Sequence, residues 1–262
     1  MSTILELKNV TKKFGGLTAV NDLSLNIEEG KIHALIGPNG SGKTTTLNMV
    51  SGALRVTEGS IFYRGKEISK MPEVEIARSG IGRTFQNIKL FSSMTALENV
   101  MVGGHRYCST GMVMGLINFP KANREERELK AKAEETLEFL GMYPYRNEIV
   151  KSLPYGRQKI LEIGRTIIAE PEIILLDEPA AGLNPSERAE FVNLLVKLNE
   201  GGKTLFLIEH NMDVVMSISH LVTVLNFGAK IAEGLPEEMQ ADNEVIKAYL
   251  GSQYKKNKER AD

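Results

Sequence analysis

At 262 residues, 42% of them hydrophobic, the chain can bury a full core, as one large α/β domain or a core with a smaller appended domain, and is no peptide-sized module. Its 32 Lys and Arg against 33 Asp and Glu leave a formal charge of −1, so nothing global argues for a nucleic-acid-binding surface, although a local basic patch stays open. The single cysteine, Cys108, excludes an intramolecular disulfide, fits a reducing compartment and is expected to act as a small, semi-buried apolar residue. Met1 to Lys8 alternates and carries charge, so it does not read as a signal peptide, and no run reaches the roughly 18 apolar residues of a membrane span. A soluble protein is expected, with docking onto a membrane partner left open.

Ile4 to Val10 and Ala19 to Ile27 alternate apolar and polar side chains around Phe14-Gly15-Gly16, which predicts an antiparallel sheet with one buried face. Phe14, beside two glycines in the connection, offers a ring face that can stack on a nucleobase or serve as a core or loop anchor. The apolar run Ile32 to Ile36 then enters Gly37-Pro38-Asn39-Gly40-Ser41-Gly42-Lys43-Thr44, followed by the helix-like Thr44 to Val50. The spacing G-x-x-x-x-G-K-[ST] reads as a phosphate cradle. Backbone N–H groups converge on the phosphates, Lys43 reaches toward the β/γ oxygens and the Thr44 hydroxyl toward Mg²⁺. Its glycines permit positive φ and close approach, and the helix that follows presents its positive end to the anion. A plain Gly-rich turn is the alternative, but strand, motif and helix occur together as the motif requires. A nucleoside triphosphate is the expected ligand.

Gly59 to Tyr63 and Ile81 to Phe85 predict short strands, with a helix over Glu73 to Ser79 between them. Gln86 ends the second strand, where its amide can accept from a metal-bound water, donate to a reacting one, or serve as a hydrogen-bonded loop residue. From Met94 to about Ser152 a helical insertion is predicted. Thr95 to Val100 starts a helix, Gly103 to Pro120 is rich in Gly, Met and aromatics, and Arg124 to Leu140 carries Leu129, Ala133, Leu137 and Leu140 on one face. Arg124 to Glu128 reads as a solvated helix face with i,i+4 support.

Leu153-Pro154-Tyr155-Gly156-Arg157-Gln158 leads into an amphipathic helix, Lys159 to Ile168, ending before Pro171. A Gly-bearing turn opening a helix is a potential second anion site and equally an ordinary helix start. Ile173 to Leu176, ended by Asp177-Glu178, suits a parallel strand buried on both faces, with its carboxylates where ligands bind in open α/β sheets. In phosphate-loop NTPases an Asp in this place holds Mg²⁺ with the loop's Ser or Thr, which pairs Asp177 with Thr44 and leaves Glu178 to polarise an attacking water. A helix N-cap pair is the alternative.

Ser186 to Asn199 predicts a helix capped at Asn184 or Pro185-Ser186, and Thr204 to Ile208 another buried strand. His210 follows Glu209 at its end. A histidine there is usually structural, but at this sheet edge it can reach a γ-phosphate. Leu221 to Leu225 and Lys230 to Glu233 predict a closing hairpin around Asn226-Phe227-Gly228. Gln253 to Asp262 is charged and apolar-poor, and is expected to fray.

In this order the pieces resemble the ATP-binding subunits of ABC transporters from Leu5 to about Gly251. Phe14 matches the family's adenine-stacking aromatic, Gly37 to Thr44 its Walker A loop and Gln86 its Q-loop glutamine. Leu153 to Arg157 occupies the signature position, Leu175 to Glu178 Walker B, Ala181 to Asn184 the D-loop and His210 the switch histidine. The resemblance implies an α/β phosphate-loop NTPase (RecA-like) core with an N-terminal antiparallel β-subdomain and an inserted α-helical subdomain. It implies a single ATPase domain over 1–252, with the core in 1–93 and 159–252, the helical subdomain in 94–158 and a tail in 253–262.

ATP and Mg²⁺ are the implied cofactors. Phe14, Val20, Gly37, Pro38, Asn39, Gly40, Ser41, Gly42, Lys43, Thr44 and Thr45 would hold the nucleotide, Thr44, Gln86 and Asp177 the metal. Glu178, His210, Gln86 and Lys43 would carry catalysis, while Pro154, Tyr155 and Gly156 would reach a partner's nucleotide in trans.

Arg83 to Asn87, Glu178 to Pro185, Ile208 to His210, Val245 to Gly251 and the long Gly103 to Pro120 segment look most like the branched-chain amino-acid importers' ATPases. The partners implied are a second, related ABC ATPase subunit, two integral membrane permeases and, indirectly, a solute-binding protein, without nucleic acid. The implied place is the cytoplasmic face of the inner or plasma membrane. ATPases of lipid or lipopolysaccharide exporters share much of the pattern, and a soluble ABC ATPase of translation or DNA repair is the reading from another class. One departure stands out. The usual Leu-Ser-Gly-Gly-Gln has Pro154 for its serine, Tyr155 for its first glycine and Arg157 for its glutamine, and Pro154 offers neither hydroxyl nor N–H.

Overall fold

A computed structural model describes residues 2–84, 88–104 and 120–249, the side chains of 120–123 excepted. Gln86, Cys108, the stretch 105–119 and the tail from Gln253 to Asp262 lie outside them. The opening alternation becomes a long antiparallel pair, β1 (Thr3–Phe14) and β2 (Leu17–Glu28), burying Leu5, Leu7 and Val10 on one strand and Val20, Leu23 and Leu25 on the other. Its register slips between Leu7 and Val10, where Asn9 and Asp22 both take positive φ (49° and 48°) and the Asn9 amide donates to Asp22 at 2.8 Å. Such a bulge tightens the twist of the ribbon. β4 (Glu58–Tyr63) pairs with the other edge of β1, and β5 (Lys66–Glu67) completes a sheet ordered β2-β1-β4-β5.

The second sheet holds β3 (Ile32–Ile36), β6 (Ile81–Arg83), β7 (Ile173–Asp177), β8 (Thr204–Ile208), β9 (Leu221–Asn226) and β10 (Ala229–Gly234), ordered β10-β9-β3-β8-β7-β6. Every pairing is parallel except the β9–β10 hairpin. β3, β7 and β8 are buried at every position, which is why they read as unbroken apolar runs. Parallel alignment carries the C-terminal ends of β3, β7 and β8 to one edge.

Nine α-helices are described, besides two single 3₁₀ turns: α1 (Lys43–Val50), α2 (Glu73–Ser79), α3 (Ala96–Gly103), α4 (Pro120–Phe139), α5 (Tyr155–Ile167), α6 (Pro185–Glu200), α7 (Met212–Ile218), α8 (Pro236–Ala241) and α9 (residues 243–249). Capping boxes start two of them, Thr95 with Glu98 on α3 and Asn184 with Glu187 on α6, where Pro185 takes the first helical position. Leu129, Ala133, Leu137 and Leu140 are buried as their spacing predicts, in one apolar cluster with Val100, Ile160 and Ile163 that continues to Ile174 and Leu176 of β7. The inserted helices therefore rest on the sheet through α5. Arg124 meets Glu128 at 2.8 Å, both exposed.

Four details differ from the sequence expectation. α5 begins at Tyr155, one residue after Pro154, so Gly156 lies in its first turn instead of in a lead-in. β6 stops at Arg83, α4 starts at Pro120, and β5, α7, α8 and α9 are additional. These additions span two to seven residues, too short to display a periodicity of their own. No helix among the described residues is long and apolar enough to cross a membrane.

His33, central in β3, is 1% exposed and stands edge-on to Phe206, with its Nε2 2.8 Å from the Thr223 hydroxyl. Burial pushes its pKa down to about 4, against the pull of nearby Glu233 and with a smaller push from Lys230. The unfolded chain binds this proton near pH 6.5 and the folded chain does not. His33 thus contributes stability that is fully present above pH 6.5 and is lost as pH falls toward 4, up to ~3 kcal/mol. Urea unfolding followed between pH 7 and 4 should show this decline, and His33→Gln should flatten it. An unchanged decline in the variant would contradict the assignment.

Candidate active site

The phosphate loop leaves β3 at Gly37, whose φ of 148° and surroundings admit only glycine, because a Cβ would stand 2.1 Å from the Leu225 carbonyl oxygen. Gly42 repeats the constraint at φ 100°, where a Cβ would lie 2.5 Å from the Ala19 carbonyl oxygen and 3.1 Å from Val20 Cγ2. Val20 is fully buried beneath it. The β9–β10 turn, with Phe227 and Gly228 both at positive φ, braces the loop from the side. There the Gly228 N–H donates to the Ser41 carbonyl at 3.1 Å and the Asn21 N–H donates to the Gly228 carbonyl at 2.8 Å.

α1 follows with Gly42 as its N-cap and no side-chain cap, so no side chain occupies the donors of its first turn, which suit an anion. Lys43 is buried, and its ammonium donates to the carbonyls of Gly37 and Pro38 at 2.8 and 2.9 Å. Burial lowers its pKa while Glu178 and Asp177 pull it back up. Asn39, Gly40 and Thr44 are exposed, Pro38 and Thr45 half-buried, and Ser41 buried.

Asp177 ends β7 at 2% exposure with its Oδ1 accepting no hydrogen bond, while its Oδ2 lies 4.0 Å from Arg83. Arg83 in turn donates to Asn48 of α1 and to Ser51 at its C-cap, each at 2.6 Å, tying α1 to the end of β7. Burial raises the Asp177 pKa, Arg83 opposes the rise and Glu178 adds to it. Glu178 sits at φ 49°, a left-handed conformation that non-glycine residues adopt mainly where the surrounding structure enforces it. One of its carboxylate oxygens is 2.8 Å from His210 Nε2.

Behind this pair lies a residue the sequence reading passed over. Glu209 is 2% exposed and accepts from the Ala180 N–H at 2.8 Å and the His210 N–H at 3.1 Å, joining the turns that follow β7 and β8. A carboxylate closing a buried, largely apolar strand run was its available signal, as for Asp177.

The structure therefore gathers Lys43, Asp177, Glu178 and His210 at one sheet edge. Phe14 stands at the tip of the β1–β2 ribbon, 45% exposed, with the Lys12 ammonium 4.9 Å from its ring centroid. Gln86 lies outside the described residues. Pro154, Tyr155 and Gly156 form the start of α5 and pack on the approach to α6. A Cβ on Gly156 would fall 2.8 Å from the Glu187 carboxylate, and one on Gly182 (φ 79°) 3.0 Å from the Tyr155 ring. Tyr155 remains 45% exposed. Chemically, the main site offers a cradle for a triphosphate, a buried carboxylate oxygen that accepts no hydrogen bond, and a Glu–His pair suited to moving a proton.

The family model described as "ABC transporter" matches residues 20–181, and one described as "Branched-chain amino acid ATP-binding cassette transporter" matches residues 229–255. The chain is similar to the high-affinity branched-chain amino acid transport ATP-binding protein BraF of Pseudomonas aeruginosa, 46% identical over 249 residues that cover 95% of this chain and 98% of that protein. It is 42% identical, with the same coverage, to the corresponding protein LivG of Escherichia coli K12. Among solved structures it is similar to the ADP conformation of MJ1267, an ATP-binding cassette of an ABC transporter, with a TM-score of 0.84 and 32% identity over 96% of this chain and 100% of that one. A dimeric post-hydrolysis state of the cassette MJ0796 bound to ADP and Pi gives a TM-score of 0.74 and 29% identity over 88% of this chain and 98% of that one.

Gly37→Ala forces a side chain against the Leu225 carbonyl at a φ that L-residues rarely adopt. Strain of ~1–3 kcal/mol at the loop corresponds to about 5- to 150-fold weaker nucleotide binding. Titration with a fluorescent ATP analogue should show this loss, and a smaller one for Gly40→Ala, where a Cβ meets open space.

Proposed function

We infer the function from one premise: this chain belongs to the ABC transporter family and is one of its ATP-hydrolysing subunits. We propose that it energises an importer of branched-chain or related amino acids. The observation that carries this reading is the 46% identity to BraF along nearly the whole of both chains, together with the second family match at residues 229–255. Its partners on this reading are a second, related ATPase subunit and two membrane permeases, with a solute-binding protein acting through them. The working place is the cytoplasmic face of the membrane. The domain reading treats 1–252 as one ATPase unit with its core in 1–93 and 159–252, a helical subdomain in 94–158 and a tail in 253–262. α5 bridges the 158/159 division.

In the mechanism, the triphosphate enters over the uncapped start of α1, and the Lys43 ammonium exchanges the Gly37 and Pro38 carbonyls for phosphate oxygens. Phe14 supplies the base contact from the ribbon tip. Mg²⁺ suits the same edge, because Asp177 Oδ1 is buried without a hydrogen bond and Thr44 lies exposed in the first turn of α1, hard oxygen donors of the kind Mg²⁺ takes. Thr44, Asp177 and Gln86 would hold it, and when bound it neutralises charge on the phosphates. Glu178 accepts the proton of the attacking water, and His210, 2.8 Å from its carboxylate, orients that group. Glu209 holds both turns in place.

Two subunits meeting head to tail place the start of α5 of one over the nucleotide of the other. Pro154 removes a hydroxyl and an N–H from that face, so the cost falls on the partner's nucleotide. In a heterodimer the site built on this chain's own Walker motifs is then the better one. Closure does work because the triphosphate binds the closed arrangement more tightly than the open one.

Glu178→Gln should keep ATP affinity, trap a closed dimer and lower turnover by about 10²–10⁴-fold, the usual share of a general base. A normal steady-state rate in the full complex would refute the role. In the assembled transporter, changing the catalytic glutamate of this subunit or of its partner should have unequal effects, and equal losses would overturn the asymmetry. Uptake of labelled branched-chain amino acids in a strain lacking only this chain tests the substrate, with unchanged uptake ruling it out.

A further inference from the structure

The Glu178–His210 pair stands just past the point where strand pairing stops. The ladder between β7 and β8 ends with Asp177 opposite Ile208 and with the Glu178 N–H donating to the Ile208 carbonyl at 2.9 Å. Beyond that bond the two chains separate into different turns, and the next link between them is a side chain. Glu209, 2% exposed, accepts from the Ala180 N–H at 2.8 Å with one carboxylate oxygen. Its other oxygen accepts from the His210 and Asn211 N–H groups at 3.1 and 3.4 Å. Both oxygens must be acceptors, because each serves a different turn, and an amide in this place would serve only one of them.

These bonds bracket Glu178. Its own N–H is bound to β8, its carbonyl accepts from the Ala181 N–H at 3.1 Å, and the N–H of Ala180 is bound to Glu209. Such an enclosure is what a non-glycine residue at φ 49° requires. His210 needs anchoring for another reason. Its side chain is 44% exposed against 15% for that of Glu178, so packing does not fix it, and its backbone is held instead by the buried carboxylate of Glu209. We propose that Glu209 is a positioning residue for hydrolysis, whose carboxylate sets the separation of Glu178 and His210 and so the turnover rate, while nucleotide affinity is left to the phosphate loop. It acts through the backbone of the pair. The proposal rests on the reading of Gly37 to Thr44 as the ATP site and of Glu178 as the group that takes the proton of the attacking water.

The test uses the full-length chain for binding and the assembled transporter for kinetics. Glu209→Gln keeps the size of the side chain and loses the acceptor on one turn, whereas Glu209→Asp keeps the carboxylate but is one methylene too short to serve both turns. Each should lower kcat by about 10- to 100-fold, the scale on which a small misplacement of reacting groups acts. KM for ATP and the affinity for a fluorescent ATP analogue should stay within about 2-fold of the unsubstituted protein, the split expected when only the reacting geometry is lost. Rates are read well below each variant's own melting midpoint, where the chain is folded. A merely structural brace lowers the melting temperature and leaves kcat of the folded protein intact, and that result would overturn the proposal. An affinity loss as large as the fall in kcat, or failure of both variants to fold, would overturn it too. Lys43→Ala serves as the separate control. If it binds the analogue normally, the loop is not the nucleotide site and the functional reading itself fails.

Discussion

Everything at the catalytic edge depends on the absence of a side chain at Gly37. The strand β3 ends there against the carbonyl of Leu225 on β9, leaving 2.1 Å where a Cβ would need to be. That contact lets the loop fold tightly over the end of the sheet, so that α1 begins directly above it and Lys43 can reach back to the Gly37 and Pro38 carbonyls. A wider turn would carry the helix start away from the carboxylates at the ends of β7 and β8. The cradle is therefore a property of the sheet beneath it as much as of its own glycines.

The edge also concentrates charge in a place with little water. Lys43, Asp177 and Glu209 are nearly or fully buried, and Glu178 is 15% exposed. Such groups are tolerated only when paired or hydrogen-bonded. Lys43 is held by carbonyls, Glu209 by backbone N–H groups and Glu178 by His210. Asp177 is the exception, with one oxygen unmet and its pKa raised. A carboxylate oxygen left unmet in this way costs stability and is chemically suited to a cation.

The start of α5 follows a different logic. Tyr155 and Gly156 are fitted to the approach to α6 through Gly182 and Glu187, and Arg157 pairs with Glu190 at 2.6 Å. That face is closely packed on its own neighbours, yet Tyr155 stays 45% exposed. Close packing combined with exposure leaves a pre-shaped surface, and Pro154 gives it neither a hydroxyl nor an N–H.

Sequence alone determined the elements whose pattern is strictly local. The alternation of β1 and β2, the apolar runs of β3, β7 and β8, the buried stripe of α4 and the glycine spacing of the loop all follow from side-chain periodicity or backbone freedom. The site was legible where residues closed such runs, as at Lys43, Asp177, Glu178 and His210. Tertiary structure decided what depends on residues distant in the chain. The parallel order of the sheet put the ends of β3, β7 and β8 at one edge, made Glu209 a brace between two turns, bound Arg83 to α1, and brought Val245 and Tyr249 of α9 back onto β3 and β9. Short α7, α8 and α9 escaped for the same reason. Their helicity comes from packing on β3 and β9 rather than from any repeat long enough to be read.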